Sequence, residues 1–211
     1  MDVRQQAILA KATEIKDGGT SRLLSRSVKA FPGFQIVPKD KVGVYLLFQE
    51  PLWVPSALQQ ATQDMGLQWL LAGSNFPIHT TVLESGAPIK HHYEAKWKNL
   101  VGKTINFDRL ILDGENVVLL STDFEPWLDE LRASLETKFK ELGGQCRPFP
   151  PLCHMTLARM SDIPNNFDGQ QYINTMESIC DMVTGNPVTL TVAEVRFANT
   201  YNFLTSLTKG Q

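Results

Sequence analysis

A chain of 211 residues with 43% apolar and 9% aromatic side chains has the composition of an ordinary globular protein and the length for one sizeable core. Its formal net charge of −2 argues against a protein held to long duplex nucleic acid by bulk electrostatics, while leaving room for a small anion gripped by a few placed groups. Three cysteines, Cys146, Cys153 and Cys180, show no metal-ligand spacing and argue against a disulfide framework, so a reducing, cytoplasmic setting is expected.

Residues 1–40 read as an N-terminal helix and connecting arm: an amphipathic segment at Val3–Ile15 ends in Asp17-Gly18-Gly19, and "FPGFQIVPKDK" follows a Ser/Arg-containing stretch. The start lacks the basic and long apolar regions of a secretory signal, and no stretch is apolar for long enough to span a bilayer. From Lys41 to the end at Gln211 the pattern becomes regular and reads as one domain. "VGVYLLF" is a β-branched and aromatic run that predicts a strand, and "VPSALQQATQDMG" predicts a helix stopped by Gly66. "IHTTVL" predicts a strand, and "HHYEAKWKNLVG" a helix closed by Gly102. "INFDRLILDGENVVLLS" predicts two strands joined at Asp113-Gly114. Leu128, Leu131, Leu135, Phe139 and Leu142 recur at helical spacing after Pro126 and before Gly143-Gly144. "LCHMTLA" predicts a strand and "FDGQQYINTMESICDMV" a helix, while "VTLTVAEVRFAN" and "YNFLTSL" predict two final strands.

The order strand, helix, strand occurs twice, once ending at His79 and once at His154. Such a repeat, with a hairpin at the join, predicts an α+β domain of two related lobes around a central groove. Side chains two apart share a face of a strand, so His79 lies with Thr81 and His154 with Thr156. Strict alternation also puts Leu83 on the His79 face and aims Arg159 away from the His154 face.

Two histidines and two threonines converging on one groove suit phosphodiester cleavage. One imidazole takes a proton from the attacking oxygen, the other protonates the departing oxygen, and the hydroxyls donate to non-bridging phosphate oxygens. No metal is needed for that division of labour. His91-His92 lacks a completing ligand set, and Cys153, next to His154, points to the opposite face and is expected to be buried and inert.

On "PIHTTVL", "LCHMTLAR", the helix "WLDELRASLETKFKELG" and the strand "VTLTVAEVRF", the chain resembles the 2H phosphoesterase superfamily, from about Lys41 to Leu207. The resemblance implies a bilobal α+β fold and metal-independent hydrolysis, without cofactor, of a 2′,3′-cyclic phosphate or a 2′-linked phosphodiester on RNA ends or small nucleotides. It makes His79 and His154 the acid–base pair, Thr81 and Thr156 the phosphate-binding hydroxyls, and Arg159 a phosphate neighbour. By analogy His154 activates water and His79 protonates the leaving oxygen. Glu84 stands where an apolar residue is expected. Tyr45, Phe149 and Tyr201 are candidates for stacking on a base. The partner expected is a small nucleotide or RNA end taken by a monomer, with no membrane and no bulk duplex. A nucleotide-binding module with little turnover, and a member degrading 2′,5′-linked or cyclic oligonucleotides, are the alternatives.

Overall fold

The structure is a computed structural model that describes residues 3–36, 41–85, 98–123, 125–146 and 152–205. Two four-stranded sheets carry the fold, and every strand pair is antiparallel. The strands are β1 (Val42–Phe48), β2 (Gln68–Leu71), β3 (His79–Glu84), β4 (Thr104–Phe107), β5 (Arg109–Asp113), β6 (Asn116–Ser121), β7 (Cys153–Asp162) and β8 (Val188–Asn199). The first sheet runs β3-β1-β8-β4 and the second β2-β7-β6-β5. One apolar core joins them, with Val44, Leu46 and Leu83 from the first sheet packed among Val117, Leu119 and Met155 from the second.

Among the described residues five α-helices surround the sheets: α1 (Val3–Leu24), α2 (Trp53–Ala61), α3 (Pro126–Glu141), α4 (Gly169–Gly185) and α5 (Thr200–Leu204). Helix α3 buries Leu128, Leu131, Leu135 and Phe139, the stripe that its spacing predicts, with Pro126 in the first turn. Helix α4 begins where the Asp168 carboxylate accepts from the amides of Gln170 (2.9 Å) and Gln171 (3.1 Å).

Several elements differ from the sequence expectation. Helix α1 runs through Gly18-Gly19 to Leu24, because Gly19 is a packing position: a Cβ there would lie 2.1 Å from the Leu112 carbonyl oxygen on β5. The run 104–121 holds three strands, since Asp108 breaks it after β4. Its carboxylate accepts from the Thr122 amide (2.8 Å) and bonds the Thr122 hydroxyl, and the chain passes from one sheet to the other there. "YNFLTSL" starts as α5, because Asn199 caps the amides of Tyr201 (3.0 Å) and Asn202 (3.2 Å). Strand β2 has no counterpart among the expected elements, and α2 ends at Ala61, ahead of a 3₁₀ turn at Gln63–Met65. Of the helix expected from His91 to Gly102, residues 91–97 lie outside the described residues and Lys98–Leu100 form a single 3₁₀ turn.

The internal repeat extends to individual pairings. In the first sheet Gly43, Val44, Tyr45, Leu46 and Leu47 face Glu84, Leu83, Thr81, Thr80 and His79. In the second, Asn116, Val117, Val118, Leu119 and Leu120 face Arg159, Ala158, Thr156, Met155 and His154. Both registers skip one residue, Val82 in β3 and Leu157 in β7, so each motif strand carries a bulge directly after its threonine.

Packing of α1 gives a direct test. Gly19→Ala is expected to cost about 1–3 kcal/mol through overpacking against β5. Gly18→Ala, whose methyl would meet only Arg22 at 3.8 Å, is expected to be neutral or to stabilise by roughly 0.5–1 kcal/mol. Thermal denaturation of the two variants beside the parent chain checks both signs.

Candidate active site

Each bulge changes which side chains reach the groove. After two consecutive buried residues, Val82-Leu83 in β3 and Leu157-Ala158 in β7, the alternation resumes in the opposite phase. Leu83 therefore turns into the core, against the expectation of strict alternation, and Glu84 takes the groove position. By the same shift Arg159 joins the face of His154 and Thr156 instead of pointing away from it.

The two motif strands meet directly. The Thr80 hydroxyl donates to the His154 carbonyl oxygen at 3.0 Å, across the gap between the sheets. Arg132, from α3, donates to the carbonyls of Val82 (3.3 Å) and Leu152 (2.8 Å), which belong to different lobes. Strands β3 and β7 are thereby pinned side by side, and His79, Thr81, Glu84, His154, Thr156 and Arg159 line one cavity of about 120 Å³. A second cavity of about 250 Å³ shares His154, Thr156 and Arg159 and extends past Asp113 and Asn116 to Ile15 of α1. A roomier cleft of about 380 Å³ opens between α1, β5 and α4, but it contains no histidine and draws on neither motif strand, so size does not mark the candidate site.

The His79 Nδ1 lies 2.7 Å from the Pro77 carbonyl oxygen. A carbonyl can only accept, so Nδ1 carries the hydrogen and Nε2 is the nitrogen that gains or gives a proton. Edges and faces of Tyr45, Phe76 and Phe203 surround the ring at 5.7, 6.4 and 4.9 Å between centroids. Burial pushes its pKa down to about 4, opposed by the Pro77 bond and assisted by the charge of Arg159. His154 is likewise pushed down to about 4, first by burial and then by the Arg132 guanidinium. Both imidazoles are therefore neutral at pH 7 in the empty groove.

Arg159 is held from two sides. Its Nη1 donates to the Asn116 side-chain oxygen at 2.9 Å, and its guanidinium lies 4.8 Å from the ring centre of Phe31 in the N-terminal arm. Its buried Nε has no hydrogen-bond partner among the described residues.

Other expected residues fall elsewhere. The Tyr45 ring is 1% exposed and stacked on Phe203 at 4.2 Å, with its hydroxyl bonded to Thr200 (2.5 Å). It lines the cavity and supports His79, but no free ring face is left for a base. Tyr201 is half-buried on α5, whose Thr200 and Leu204 line the cavity in its place. Phe149 lies outside the described residues. Cys153 is buried and its thiol is pushed up to about 11 by desolvation, as befits an inert core residue. Among the described residues no group of three or more His, Cys, Asp or Glu is placed to hold a metal ion. Among these residues no helix is long and apolar enough to cross a membrane. Sequence reasoning marked Glu84 only as a departure from an apolar position and passed over Asn116 and Phe31; a charged residue five positions after each motif histidine was the visible sign that Glu84 and Arg159 correspond.

No family model and no curated protein matches the chain. Among solved structures, the MHV ns2 PDE domain is similar to it at 15% sequence identity over 59% of this chain and 86% of that one, with a TM-score of 0.38. A likeness that weak transfers neither activity nor substrate.

The buried imidazoles make stability depend on pH. Between about pH 6.5 and 4 the unfolded chain binds protons that the folded histidines refuse, so stability falls as pH falls through that window. The slope is roughly 1.4 kcal/mol per pH unit for each imidazole. Denaturation midpoints measured from pH 7 to pH 4 should show this loss, and His79→Gln with His154→Gln should flatten it.

Proposed function

We propose that the chain is a metal-independent phosphodiesterase of the 2H type, acting on a 2′,3′-cyclic phosphate or a 2′-linked phosphodiester of an RNA end or small nucleotide. The observation that carries this reading is the convergence of His79, Thr81, His154, Thr156 and Arg159 on one cavity from two strands related by an internal repeat.

In the reaction, the phosphate sits between the two motif strands, with the guanidinium of Arg159 in the cavity wall beside it. The hydroxyls of Thr81 and Thr156 donate to non-bridging oxygens as negative charge builds on them. His154 accepts a proton from water as its oxygen bonds to phosphorus. The bond to the leaving oxygen breaks, and that oxygen takes the proton of His79, which was protonated at Nε2. The products are a phosphomonoester and a free hydroxyl, and exchange with solvent restores the starting protonation. An anionic phosphate favours the imidazolium next to it, which offsets the low pKa of the empty site.

The arrangement fixes the shape of the pH dependence. The free-enzyme profile, kcat/KM, requires one imidazole charged and one neutral, so it should be bell-shaped with its maximum below pH 6.5. Substitution of either histidine by alanine should reduce turnover of a 2′,3′-cyclic nucleotide by about 10²–10⁴-fold. Assays of 2′,3′-cyclic nucleotides and of 2′,5′- and 3′,5′-linked oligonucleotides, with and without chelator, test the reading. Turnover unaffected by both substitutions, or abolished by chelator, overturns it. Tight binding without turnover would make the chain a nucleotide-binding module instead.

A further inference from the structure

Glu84 and Arg159 occupy the same place in the two halves of the repeat. Each follows its histidine by five residues, each reaches the groove only because of the bulge, and each pairs across the sheet with an equivalent residue, Gly43 for Glu84 and Asn116 for Arg159. The twofold relation of the backbone is thus broken by charge. Glu84 is itself held in place. It forms an ion pair with Lys41, both side chains being largely buried, and it adds to the rise that burial already imposes on the pKa of the Tyr45 hydroxyl. Gly43, opposite Glu84, makes the room: a Cβ there would lie 2.7 Å from the Tyr45 hydroxyl.

Within the 120 Å³ cavity the charged groups are one guanidinium and one carboxylate, beside two histidines that are neutral when the site is empty. Lys41, which pairs with Glu84, stands behind that carboxylate and is not itself part of the cavity lining. Such a wall matches a phosphate carrying one negative charge. A phosphomonoester dianion would bring a second charge toward that carboxylate, and among the described residues the lining adds no cation beyond Arg159 and whichever imidazole is protonated.

We propose that Glu84 is a specificity-determining residue that sets the groove for monoanionic phosphodiesters and against dianionic phosphomonoesters, so that the product of hydrolysis is held less firmly than the substrate. This rests on the phosphodiesterase reading. A structural role for the Lys41–Glu84 pair would move the binding of both ligands together, whereas a charge filter moves them apart.

The test compares the KM of adenosine 2′,3′-cyclic phosphate with the inhibition constant of adenosine 2′-monophosphate at pH 8, where the monoester is a dianion. Calorimetric titration of the monoester supplies a reading that needs no turnover. Glu84→Gln removes the carboxylate and frees Lys41, and should tighten the monoester relative to the diester by about tenfold. Lys41→Met leaves the carboxylate without its partner and should shift the ratio in the opposite direction. A ratio unchanged in both variants, or moved the same way in both, overturns the proposal while leaving the phosphodiesterase reading intact. A parent chain that neither cleaves the diester nor binds the monoester sinks both.

Discussion

The bond from the Thr80 hydroxyl to the His154 carbonyl is the contact on which the geometry of the groove depends. Two strands from different sheets have no ladder between them, so nothing in ordinary sheet pairing sets their relative height. Thr80 sets it, and Arg132 adds carbonyl bonds on both sides of the gap. The side chain of Thr80 points away from the groove, into a buried position beside the Cys153 thiol at 3.9 Å. A polar residue that looks misplaced on the apolar face of its strand is the link between lobes.

Burial then decides the electrostatics. The aromatic rings around His79 and the core beneath His154 leave both imidazoles partly desolvated, which lowers their affinity for protons. The cost of a buried charge is met only where a partner is built in, as with Arg159 on Asn116 and Glu84 on Lys41.

Much of this was readable from the chain. Periodicity marked α3, a β-branched and aromatic run marked β1, and the stretches that form α4, β7 and β8 were also read as a helix and two strands. Composition could not show where a strand changes phase, since a bulge leaves no residue type of its own behind. Alternation consequently placed Leu83 and Arg159 on the wrong faces. The glycine pair in α1 looked like a helix stop because its value lies in contact with a distant strand, and Leu112 is 93 positions away by number alone. Asp108 and Asn199 show the converse: a single polar side chain, bonded to nearby amides, overrides the propensity of the apolar run around it.

The plate beneath Arg159 comes from Phe31, and Ile15 closes the far end of the larger cavity, so both belong to the stretch that precedes the repeated unit. The repeated strand–helix–strand unit supplies both histidines and the Asn116 anchor of Arg159, while the wall on the other side of that guanidinium comes from upstream. The cavity is therefore a product of more chain than the repeat that shapes its floor.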